Sequence, residues 1–313
     1  TLTFDAGTVE ANSLVIGAAL TNSGGDGYAN GKLNMNGGTL TVAGPVTLGT
    51  GTDDAYGTIT LTGGTFSAAS LTGDALGTGT VDVKGGAMTI AGNVAVDVLR
   101  VGDTSHTGTF TVTGATSTVQ VGSAADPTDM VIGHKAGSNS ETIGTVDLSA
   151  AASLTAHLDN LLLGQTESGA TQNGGEGRGT LHGAVTNTIF ANTIQLGDTR
   201  NGDWDSAGTI NLGTTNAVHV DDFYVGRAKS LGTVTIASGG TLTLDGNNGT
   251  TADLFIGYND QATGAVSNGK FNMSGGTLNA TLDQLVIGYK SVGGTGGAQG
   301  TLTMEAGTLT ANS

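Results

Sequence analysis

Between Gly197 and Ala207 the chain reads Gly-Asp-Thr-Arg-Asn-Gly-Asp-Trp-Asp-Ser-Ala. Asp198, Asp203 and Asp205 place three carboxylates within eight residues, beside Asn201 and a glycine. Calcium takes oxygen ligands of this kind from a turning backbone. The spacing is not that of an EF-hand, so a hydrated acidic loop is the expectation and calcium the alternative. Trp204, the only tryptophan, lies in the same stretch. It can stack on a sugar ring as a glycan contact, or pack the base of the loop.

A second set is Asp221-Asp222 followed by Arg227 and Lys229. β-helical pectin-degrading hydrolases resemble one another in carrying Asn-x-Asp, Asp-Asp, Gly-His-Gly and Arg-x-Lys in that order. Here Gly133-His134 precedes the aspartates and lacks its second glycine. Asp222 also opens an alternating strand, Asp-Phe-Tyr-Val-Gly, so a strand-entry acid and two solvated cations are expected. Asp53-Asp54 reads as a turn pair. His106, His134, His157, His182 and His219 are scattered without metal-ligand spacing, and no HExxH, GxSxG or phosphate-loop pattern occurs. No enzyme and no cofactor are expected, calcium apart.

Composition narrows the partners. Acids outnumber bases 26 to 10, for a net charge of −16, and phosphate binding needs the Lys/Arg footprint that is missing here. Nucleic acid is therefore excluded. No apolar run approaches 18 residues, so no membrane insertion is expected in this segment. Cysteine is absent, which removes disulfides and thiolate metal sites. With 56 glycines, 2 prolines and 12% charged residues, the chain is neither collagen-like nor disordered.

The elements come from a repeat. A glycine precedes a short alternating run at Gly31, Gly57, Gly79, Gly108, Gly144, Gly179, Gly208, Gly232, Gly269 and Gly300. A second strand follows a small-residue corner, as in Gly-Gly-Thr-Leu-Thr-Val from Gly37. A third ends in glycine, as in Ser-Leu-Val-Ile-Gly from Ser13 and Asp-Met-Val-Ile-Gly from Asp129. Only after that glycine does the length float. Alternation with period 2 sends one set of side chains inward, and stacking coils about 4.8 Å apart pairs every backbone group. The pattern predicts a single continuous all-β, right-handed parallel β-solenoid of about ten coils, each with three short strands and one variable corner loop.

Two outward columns invite a ligand. On the third strand the central residues are Val15, Thr47, Arg100, Val131, Leu162, Gln195, Tyr224, Phe255 and Val286. The apolar members Val15, Val131, Leu162, Tyr224, Phe255 and Val286 form a candidate interaction stripe, for a neighbouring fibre or another partner. The alternative is that the variable loops fold back over it. Thr-x-Thr pairs, such as Thr58/Thr60, Thr109/Thr111 and Thr301/Thr303, suggest an ice-binding array. Lys32/Asn34, Asp82, Asp147 and His182 interrupt it, and threonine's strand propensity explains the pairs as well.

Thr1–Ser13 and Thr301–Ser313 are nearly the same sequence, TLTFDAGTVEANS against TLTMEAGTLTANS. They are expected to be the same element of the same coil, and neither reads as a capping repeat. The chain is thus expected to be a portion of a longer repeat protein, or to have its ends covered by another subunit.

The run Val-Ile-Gly, a polar loop, then Gly-Thr-Leu-Thr-Met-x-x-Gly-Thr-Leu-Thr-Ala resembles repeats in the passenger regions of bacterial autotransporters and related Gly/Thr-rich surface proteins. The likeness covers nearly the whole chain. It implies export to the cell surface and a role in adhesion, matrix, sheath or filament. Partners would then be further copies, end-to-end or lateral, and surface glycans. A polysaccharide-active enzyme and an ice- or glycan-binding module are the competing expectations.

Overall fold

The structure is a computed structural model. It describes residues 1–19, 29–50, 55–73, 78–103, 105–136, 141–167, 176–200, 206–247, 249–262, 264 and 266–312. These residues form twenty-five strands, and none of them is helical. Every strand pairing is parallel and joins one winding to the next, which makes a parallel β-solenoid.

Each winding has three faces, and each face is a ladder. The first carries Thr3, Asn34, Thr60, Asp82, Arg100, Val131, Leu162, Gln195, Tyr224, Phe255 and Val286 outward, each paired directly with the next. The second carries Thr8, Thr39, Thr65, Ala87, Thr109, Thr145, Thr180, Thr209, Thr233, Lys270 and Thr301. The third begins Val15, Thr47, Thr72, Ala95, Gln120, Thr155. Eleven rungs at about 4.8 Å give ladders about 48 Å long.

Alternate residues point inward and fuse into one hydrophobic cluster that runs the length of the stack. Phe66, Phe110 and Phe271 are fully buried on the second face, and Leu99, Leu161 and Leu254 on the first. A lone winding cannot bury these side chains, so the core exists only between neighbours.

The register departs from the expected one at a single place. Strand Val98–Asp103 follows Val94–Val96 with only Asp97 between them, and it pairs back onto Thr78–Val83. The next strand, Thr107–Val112, then pairs with Gly86–Ile90. From here on, the Gly-Thr-x-Thr strand that occupied the first face occupies the second. The three-strand motif has rotated by one face relative to the stack. Asp97 holds the junction: its amide donates to the Gly79 carbonyl at 3.0 Å, and its carboxylate accepts from the Gly79 amide.

Three expectations change as a result. Leu2–Phe4 lies on the first face whereas Thr301 to Met304 lie on the second, so the matching stretches are not the same element of the coil. Val15 and Thr47 stand on the third face, off the stripe that runs from Arg100 to Val286. The threonine pairs divide likewise, with Thr58/Thr60 on the first face and Thr109/Thr111 on the second.

Candidate functional site

The coil-closing glycines explain where the site lies. Gly102, Gly133, Gly164, Gly197, Gly226, Gly257 and Gly288 all have positive φ, and each lies one or two residues before the end of its strand on the first face. At Gly133 (φ 72°) a Cβ would overlap the carbonyl of Arg178 on the adjoining strand, so only glycine fits both the torsion and the close approach. The left-handed residue turns the chain sharply and aims the next side chain back over the first face. That next residue forms its own column: Asp103, His134, Gln165, Asp198, Arg227, Tyr258, Tyr289.

The first face therefore carries three parallel columns over its later windings. The central one is largely apolar: Val131, Leu162, Tyr224, Phe255 and Val286 are half-buried, while Gln195 is buried. One border is the charged and aromatic column after the glycines. The other is Asp129, Asn160, Thr193, Asp222, Asp253 and Gln284. Asn160 donates to Asp129 at 2.8 Å, and the Gln284 amide donates to Asp253 at 3.1 Å.

Between the central and charged columns lies a pocket of about 420 Å³. Val131 and Leu162 form its floor, and Arg100, Asp103, His134 and Glu167 are among its walls. His134 is held by two carboxylates from neighbouring windings, Asp103 Oδ1 at 3.5 Å from Nδ1 and Glu167 Oε1 at 3.0 Å from Nε2. The Asp103 contact raises the imidazole above its ordinary range; burial opposes this, and Glu167 adds to it. A second pocket of about 290 Å³ continues the groove past Gln165, Glu167, Asp198 and Arg200.

Further along, the groove is aromatic. Tyr224 and Phe255 stack with centroids 4.6 Å apart, and Tyr258 meets Phe255 edge-on at 5.3 Å. The Arg227 guanidinium covers the other face of Tyr224 at 4.3 Å. Arg227 and Arg200 converge on Asp260 Oδ2, each at 3.1 Å. Against its burial, Gln261 and these two arginines hold Asp260 below the usual carboxylate range. Asp198 accepts from Arg200 at 2.8 Å and Gln195 at 2.7 Å, yet burial pushes its pKa up. Asp222 and Asp253, one winding apart on the opposite border, are both raised: burial is the main cause, and for Asp222 the neighbouring Asp253 adds to it.

The structure sorts the sequence candidates. Val131, Leu162, Tyr224, Phe255 and Val286 share one ladder. Asp198 is committed to Arg200 and Gln195, not displayed on a loop; Asp203, Trp204, Asp205 and the pair Asp53-Asp54 lie outside the described residues. Among the described residues no group of three or more His, Cys, Asp or Glu side chains could hold a metal ion. Asp222 and Arg227 stand on opposite borders of the groove, and Lys229 is buried. His134, Arg227, Tyr258, Tyr289 and Asp260 were missed as a set, although the column after the coil-closing glycine is a readable signal for the first four.

Elsewhere, His157, Phe190 and His219 stack at 4.8 and 4.6 Å on the third face, where Asp245 pairs with His219. This stack stands on a different face from the groove. Among the described residues no helix is long and apolar enough to cross a membrane. No protein family, characterised protein or solved structure matches the chain.

Proposed function

We propose that this chain is a structural or adhesive rod of a secreted or bacterial cell-surface protein, serving in a matrix, sheath or filament. The observation that carries the reading is the unbroken, in-register ladder on all three faces over one continuous core. Such a body is stiff along its axis, because bending it would part backbone hydrogen bonds winding by winding. Self-association belongs to the proposal, end-to-end or lateral.

A polysaccharide-cleaving reading is favoured less. Asp222 and Asp253 sit side by side on one border, and the acids opposite, Asp198 and Asp260, are engaged by arginines. Gold-labelled antibodies against the purified chain test the rod reading by electron microscopy of the source cells. Decoration of surface fibres or sheath on intact cells is the expected result. Label confined to the interior of permeabilised cells would overturn it.

A further inference from the structure

From the three columns of the first face we infer that the groove from Arg100 to Val286 binds a neutral linear polysaccharide. The inference names the ligand class of the adhesive surface proposed above and rests on that reading.

The chemistry of the columns selects the ligand. A half-buried apolar strip, Val131 and Leu162 at one end and Tyr224 and Phe255 at the other, calls for a ligand with an apolar face. Both borders carry hydrogen-bonding side chains, so the ligand's edges must be polar. Asn160, Thr193 and Gln284 both donate and accept, as hydroxyl groups require, and the carboxylates accept. A pyranose ring has this arrangement, with C–H groups on its faces and hydroxyls on its rim.

Length selects a polymer. The same three-column pattern recurs at each winding, and six intervals from Arg100 to Val286 span about 29 Å. Gln195, buried and donating to Asp198, divides the strip into the pocket over Val131 and Leu162 and the aromatic cluster around Tyr224 and Tyr258. A ligand that uses both must be several sugars long.

Charge selects neutrality. The groove and its borders hold Asp103, Asp129, Glu167, Asp198, Asp222, Asp253 and Asp260 against Lys84, Arg100, Arg200, Arg227 and His134, on a chain of net charge −16. An anionic polymer would be repelled. A second copy of this chain is disfavoured for the same reason, since its acidic borders would face these across a strip only one side chain wide.

Calorimetric titration tests the inference with cellohexaose, xylohexaose, laminarihexaose and N-acetylchitohexaose, with polygalacturonate and chitosan as anionic and cationic probes. At least one neutral hexasaccharide is expected to bind, and its disaccharide at least tenfold more weakly. Tyr258→Ala and Leu162→Asp should each weaken binding at least tenfold, one at each half of the groove, with the melting transition retained. Thr180→Lys, on the second face, should leave binding unchanged. Binding of no neutral probe at millimolar concentration, preference for either charged polymer, or undiminished binding by both groove variants would overturn the inference. Release of shorter fragments from the bound probe would also overturn it, in favour of catalysis. None of these results bears on the surface labelling that tests the rod itself.

Discussion

Gly133 and Gly239 share a left-handed backbone and differ in their neighbours. A Cβ at Gly133 overlaps the Arg178 carbonyl, whereas nothing lies within 4 Å of one at Gly239. Gly133→Ala should therefore cost well over about 1 kcal/mol, and Gly239→Ala only the torsional part, in paired urea denaturation curves. His134 makes a second residue-scale prediction. Its folded pKa is raised, so its contribution is fully present below the unfolded value near 6.5 and is lost as pH climbs through the folded value. His134→Gln should remove that pH dependence, and a proton NMR titration should place the imidazole above 6.5. On the aromatic side, Arg227→Ala takes away the cover of Tyr224 and one of the two cations on Asp260. About 1–2 kcal/mol of stability should go with them, and the Asp260 pKa should rise.

At the scale of the element, what matters is whether a change preserves the count of strands. Thr193 pairs with Asp222, so deleting residues 193–221 joins two positions already in register. A cooperative melt and an unchanged β-type circular dichroism spectrum are expected. Deleting the single strand Val98–Asp103 would instead bring the downstream motif back by one face and set Thr107–Val112 against the wrong partner. Loss of the cooperative transition is expected there. The alternation and the glycine corners made these strands legible, since period 2 and positive φ are local properties that a residue string records. The rotation at Asp97 was not legible. Val-Leu-Arg-Val-Gly looks like every other coil-closing strand, and only its hydrogen-bond partners, Thr78–Val83 below and Thr128–Lys135 above, show that it opens a coil. That is why Val15 was grouped with Val131 although they stand on different faces. The charged border was missed for a related reason. His134, Asp198 and Arg227 read as the start of loops, but the left-handed glycine before each one turns it back onto the sheet.

The whole molecule should be more stable in mild acid than in mild base. Asp82, Asp97, Asp198, Asp222 and Asp253 all have raised pKa values, with burial the first cause. A carboxylate raised on folding binds its proton more tightly in the native state, so stability grows as pH falls through the folded value towards about 3.9. Asp147 and Asp260 are lowered and pull the other way, but they are fewer. His134 and the net charge of −16 add to the acid side. The melting temperature should be higher at pH 5 than at pH 8 in thermal scans at equal ionic strength, and the difference should shrink in His134→Gln, because the raised imidazole titrates in that window; the opposite order would refute this account.

The rotation at Asp97 has a geometric sequel. A solenoid works like a combination lock, in which the azimuth of every later feature is set by how many strands have been wound before it. One additional strand upstream re-aims all downstream loops by about a third of a turn, without altering a single one of them. Here that dial setting puts Val131 and its successors in line with Thr60, Asp82 and Arg100 instead of with Val15 and Thr47, so the groove's place on the rod is decided several windings before its aromatic end.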